Sequence, residues 1–89
     1  MDKVTLLSLS NDLKRIVTSI QRGSFENSKR FNIEAKRWLG EIKSNDTYLK
    51  NLLSKIEATL NEKDDLKKAE DCLMYSVLIQ NQALYSTGN

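Results

Sequence analysis

The sequence carries one thiol, Cys72, and a thiolate is the most nucleophilic group that these side chains could offer. A reactive cysteine needs a depressed pKa, which comes from a histidine, a neighbouring cation or a helix N-terminus. The chain contains no histidine, and Cys72 opens the run Cys72-Leu73-Met74-Tyr75-Ser76-Val77-Leu78-Ile79. Apolar neighbours raise a thiol pKa, so Cys72 reads as a small core residue. The missing histidine also removes the commonest zinc ligand and every mixed Cys/His metal pattern. Asp64-Asp65 is the densest acidic pair, and helix capping accounts for it without acid–base chemistry. The three glycines, Gly23, Gly40 and Gly88, are isolated, so no phosphate-cradling loop is present. Glu62-Lys63-Asp64-Asp65 lacks the alternating Asp/Asn ligands and central glycine of a calcium loop. The expectation is a non-enzymatic protein with no catalytic residue, metal or cofactor.

Two surfaces remain as candidates for binding. Arg22, Lys29, Lys36 and Lys43 are spaced by seven, with Arg30 and Arg37 beside two of them. On a helix this concentrates positive charge away from Phe31, Trp38 and Ile42, and a nucleic-acid or polyanion face built on Lys29, Arg30, Lys36, Arg37 and Lys43 would look like this. A solvated face partly neutralised by Glu26, Glu34 and Glu41 accounts for the same pattern. The second candidate is the apolar C-terminal segment. Met74, Tyr75, Leu78, Ile79 and Tyr85 lie off the Leu66–Leu73–Val77 stripe, and methionine and tyrosine are common at adaptable helix-binding surfaces. The segment is therefore either the central helix of the fold or a face that receives a partner. The second option is the leading expectation: a protein–protein interaction module, as an assembly subunit, helix-binding chaperone, inhibitor or small regulator. Its partner would be another protein or a second copy, with a homodimer favoured; polyanion binding is the alternative.

These residues must be held by helices. Proline is absent, strand-forming residues do not alternate with polar ones, and charged residues make up 29% of the chain against 39% hydrophobic, which argues for folded helices over disorder. Leu6, Leu9, Leu13, Ile16 and Ile20 recur at helical spacing and predict a first helix over about 4–22, stopped by Gly23, with Asp12 and Ser19 off the stripe. Phe31, Ala35, Trp38 and Ile42, widened by Leu39, predict a second over 25–43 with Ser24 as its cap. Ser44-Asn45-Asp46-Thr47 is a loop-and-cap cluster opening a third helix over 46–61, striped by Leu49, Leu52, Leu53, Ile56 and Leu60. Residues 61–65 supply no apolar side chain and predict a break capped by Asp64 or Asp65, against the alternative of one bent helix from Thr47 to Tyr85. A fourth helix over 64–85 then carries Leu66, Ala69, Leu73, Val77 and Leu84 along one face, and 86–89 read as a frayed tail. The fold class expected is all-α: one domain of 89 residues in an antiparallel up-down bundle of three to four helices.

Trp38-Leu39-Gly40 resembles the Trp-x-Gly family of small helical-hairpin proteins exported by the type VII secretion system. The resemblance implies two long helices turning at the tripeptide, pairing as a four-helix dimer, and export directed by a C-terminal Tyr-x-x-x-Asp/Glu signal. That signal is missing, since Tyr75 is followed four residues on by Ile79 and Tyr85 by Asn89. Net charge is +2, divided as +4 over residues 1–43 and −2 over 44–89, a polarity suited to an acidic partner or antiparallel self-pairing. A free thiol and an N-terminus without a signal-peptide pattern suggest a cytoplasmic protein, or one exported without a cleaved signal. No run approaches the roughly 18 apolar residues that span a bilayer.

Overall fold

The apolar stripes resolve into four helices. The computed structural model describes residues 3–85, in the order α1 (Lys3–Gln21), α2 (Phe25–Glu41), α3 (Thr47–Leu60) and α4 (Asp65–Tyr85), with no strand among the described residues. The tail expected at 86–89 lies outside them.

Each turn is written in local chemistry. Gly23 takes a left-handed φ of 73°, which a side chain would resist. Its N–H donates to the Ile20 carbonyl at 3.0 Å, and the Ser24 N–H donates to the Ser19 carbonyl at 2.8 Å. This pair of bonds is the Schellman closure that satisfies the last carbonyls of α1. Ser24 starts α2, although its side chain makes no capping bond. Asp46 caps α3 by accepting from the Tyr48 N–H at 2.9 Å. Asp64 caps α4 by accepting from the Leu66 N–H at 3.1 Å and the Lys67 N–H at 3.5 Å. The chain therefore breaks at 61–64, and the single bent helix from Thr47 to Tyr85 does not form.

Short turns force successive helices to run antiparallel, giving an up-down bundle of 41 × 19 × 19 Å. Each helix packs backbone against its two neighbours around the ring, and across one diagonal Lys68 Nζ of α4 donates to Asn32 Oδ1 of α2 at 2.9 Å. The core is built on Leu6, Leu9, Leu13 and Ile16 of α1, meeting Leu49, Ile56 and Leu60 of α3 with Ala35, Cys72 and Ile79. Each such aliphatic residue contributes about 1.5–3 kcal/mol on burial. Phe31, Trp38 and Leu39 of α2, and Ile42 just after it, are half-buried against this core.

α1 is the most enclosed helix, and this corrects two expectations. Asp12 and Ser19 are buried, together with Thr5, Ser10 and Val17. The backbone of α1 approaches both α2 and α4 closely, so its covered arc is much wider than one stripe. The closest contact is with α4, which turns Ala69, Cys72, Ser76, Ile79 and Ala83 inward. Small side chains let the two backbones come together: Ser10 Oγ donates to the Ser76 carbonyl at 2.8 Å. Lys14 Nζ donates to Gln80 Oε1 at 2.6 Å along the same seam. The expected core stripe of α4 is overturned accordingly. Of its members only Ala69 is buried, and Leu66, Leu73, Val77 and Leu84 face solvent.

The Trp38-Leu39-Gly40 tripeptide lies within the last turns of α2, and the chain forms four helices instead of one long hairpin. Trp38 is half-buried against the core.

Candidate functional site

The rotation of α4 decides what the molecule shows to solvent. With alanine, cysteine and serine facing α1 beside Ile79, six of its large apolar side chains point outward. Leu66 is 72% exposed, Leu73 52%, Met74 49%, Val77 47%, Leu84 44% and Tyr85 75%. Leu66, Leu73, Val77 and Leu84 are separated by seven, four and seven residues and share one line along the helix. Together these six residues expose on the order of 500 Å² of apolar surface, toward the upper end for a soluble monomer.

The five residues expected to form the interface divide three ways. Met74 and Tyr85 lie on this outer face. Tyr75 and Leu78 are half-buried and pack against the core. Ile79 is fully buried and cannot be an interface anchor, because it sits on the α1-facing side with Cys72 and Ser76. Leu66, Leu73, Val77 and Leu84 were missed as surface residues. The signal that could have found them is the small-residue row Ala69, Ser76 and Ala83 at intervals of seven, which marks the close-packed face.

The five basic residues expected on α2, Lys29, Arg30, Lys36, Arg37 and Lys43, are all exposed, but they do not form one free cationic face. The Arg30 guanidinium lies 5.6 Å from the Phe31 ring and that of Arg37 5.1 Å from the Trp38 ring. Lys36 Nζ donates to Asn61 Oδ1 at 2.7 Å across to the end of α3. Lys36 and Lys43, with Lys50 of α3, edge an open groove of about 690 Å³ that is lined by Leu39, Ile42 and Leu53. Glu57 lines the same groove and offsets part of that charge.

The interior holds two groups with shifted titration. Burial pushes the Cys72 thiol up to about 12, which keeps it protonated and unreactive near neutral pH. Asp12 is the less settled of the two. Its Oδ1 accepts from Arg15 Nη1 at 3.1 Å, while Oδ2 is buried without a donor. Burial, and then the nearby Glu34 carboxylate, push its pKa above the ordinary range against the pull of Arg15. Among the described residues no three metal-ligating side chains come together, and no helix is long and apolar enough to cross a membrane.

No known protein family, curated protein or solved structure matches this chain. What the surface can do is set by its own side chains: the outer face of α4 can bury apolar area against another helix, and the α2/α3 groove can attract an anion.

Proposed function

We propose that the protein is a non-enzymatic protein–protein interaction module whose docking surface is the outer face of α4, centred on Leu73, Met74 and Val77 and extended by Leu66, Leu84 and Tyr85. One observation carries this reading. α4 gives Ala69, Cys72, Ser76 and Ala83 to the core with Ile79 as the one large aliphatic fully buried, and leaves Leu66, Leu73, Met74, Val77, Leu84 and Tyr85 to solvent, the reverse of the usual balance on a free-standing bundle helix. Leaving leucine exposed on a helix forgoes the burial energy that the fold of so small a chain needs, about 1.5–3 kcal/mol per residue. A partner that covers the face recovers it.

A photo-cross-linking residue at Val77, compared with the same residue at the polar, exposed Lys55, tests the assignment in cells. A discrete adduct is expected at position 77 alone, and Leu84→Asp should abolish it without changing the helical circular dichroism. Equal labelling at both positions, or none at 77, sinks the reading.

The α2/α3 groove favours a second reading, polyanion binding, because Lys36 of α2, Lys43 of the connecting loop and Lys50 of α3 converge there. Such binding would weaken steeply with added salt and on Lys43→Glu. Absence of retention on a phosphate-bearing matrix at low salt removes it.

A further inference from the structure

The outer face of α4 has an order that selects its occupant. Positions 66, 70, 73, 77, 80 and 84 alternate in steps of four and three, the spacing of a coiled-coil seam. Their occupants are Leu66, Glu70, Leu73, Val77, Gln80 and Leu84. Read from either end the steps are the same, and the midpoint falls at Tyr75. A second α4 laid antiparallel across this midpoint, about a twofold axis, meets the first in matched layers. Leu66 faces Leu84 of the second copy, Leu73 faces Val77, and Glu70 faces Gln80, each layer occurring twice by symmetry. Met74, one position off the seam, meets its own equivalent close to the axis.

Three further observations favour this occupant and this direction. The first is charge. The N-terminal half of α4 carries Asp65, Glu70 and Asp71 beside Lys67 and Lys68, while its C-terminal half carries Gln80, Asn81 and Gln82 and no charge. Antiparallel pairing sets Glu70 against Gln80, whereas parallel, in-register pairing sets Glu70 against Glu70 in the middle of the seam, where like charges repel. The second is the state of the polar layer. Gln80 Oε1 already accepts from Lys14, which leaves its amide N–H to donate outward, and Glu70 has no ion pair among the described residues. The third is area. Two faces on the order of 500 Å² each bury about 1,000 Å² in total, the threshold for a specific interface.

We infer that the occupant of this face is a second copy of the chain, docked through an antiparallel, twofold-symmetric α4–α4 seam centred at Tyr75. The inference rests on the interaction surface proposed above and names its partner.

Sedimentation equilibrium from about 1 to 300 μM, with disulfide trapping, tests it. The expected result is a concentration-dependent dimer whose dissociation constant rises about tenfold or more on Val77→Asp, with helical circular dichroism unchanged. Val77 is exposed in the monomer, so the substitution leaves the core intact. For direction, chains carrying Cys72→Ser with Leu66→Cys are mixed with chains carrying Cys72→Ser with Leu84→Cys. A disulfide-linked dimer is expected from the mixture and not from the Leu66→Cys chain alone. Cross-linking of the Leu66→Cys chain to itself means parallel pairing and overturns the inference. A monomer at every concentration, or a dimer indifferent to Val77→Asp, overturns it as well. In those cases a cross-link from position 77 to a different protein would still uphold the interaction surface, and no cross-link at all would remove both.

Discussion

Asp12→Asn should stabilise the protein near neutral pH, by about 1–2 kcal/mol. The carboxylate is buried, and Oδ2 has no donor. Leaving a buried acceptor unsatisfied costs about 1–3 kcal/mol. Asparagine keeps the shape, keeps an oxygen for Arg15, and presents an N–H toward the Glu34 carboxylate. The loss is the Asp12–Arg15 ion pair, whose arginine side is 55% exposed. Exposed pairs of this kind contribute about 0–1 kcal/mol, less than the gain. The pH dependence follows from the raised pKa of Asp12 in the fold. The native state holds the proton more tightly than the unfolded chain, so stability rises as pH falls through the folded pKa toward the ordinary carboxylate value. Asparagine removes that contribution. Urea unfolding followed by far-ultraviolet circular dichroism at about pH 7 and about pH 4 measures both effects. At roughly 1 kcal/mol per molar urea for so small a chain, the midpoint should rise by about 1–2 M near neutrality, and the gap between variant and parent should narrow in acid. Glu34→Gln, which removes the second cause of the shift, should give a smaller change in the same direction. A neutral-pH midpoint that falls on Asp12→Asn, or a gap that does not depend on pH, refutes the reasoning.

Two further outcomes follow from the α1–α4 seam. Cys72 is fully buried and its thiol pKa is about 12, against an ordinary 9.0. Disulfide exchange with a small aromatic disulfide at mildly alkaline pH should therefore be on the order of a thousandfold slower in the native protein than in urea; comparable rates would mean an open seam. Ser76→Leu forces a branched side chain between backbones that meet through the Ser10–Ser76 hydrogen bond, and should cost about 1–3 kcal/mol or more in urea unfolding. A neutral result would show that α1 and α4 can separate at no cost.

The helices were legible because three of them bury a dominant stripe. Leu6 through Ile16 and Leu49 through Leu60 fix both the period and the facing direction. Asp46 and Asp64 also act as their positions suggest, each capping the helix that follows. α4 defeats the same reasoning. Its apolar residues surround the helix, so hydrophobicity alone supplies no phase, and weighting leucine above alanine selects the wrong side. The side that packs is the one that lets backbones approach, and that depends on the absence of bulk at Ala69, Ser76 and Ala83. Asp12 was misplaced for a related reason. Charge argues for solvent only when a helix has one covered face, and α1 has two. The interface expectation inherited the α4 error: Ile79 went to the core, Leu73 and Val77 came out, and Met74 and Tyr85 kept their place.

The enclosure of α1 between α2 and α4 also sets a timetable for synthesis. α2 follows α1 after a three-residue turn, so one side of α1 can be covered as soon as the hairpin emerges. The other side waits for α4, which ends at Tyr85, 44 residues after the end of α2 at Glu41. At ribosomal rates of roughly 5–20 residues per second, that wait lasts about 2–9 s. Through that interval the nascent hairpin displays the side of α1 that α4 will cover. Substitutions in the Ala69–Ser76–Ala83 row should thus be felt as lower yield in the cell as well as lower stability in the tube, because they delay the step that hides α1.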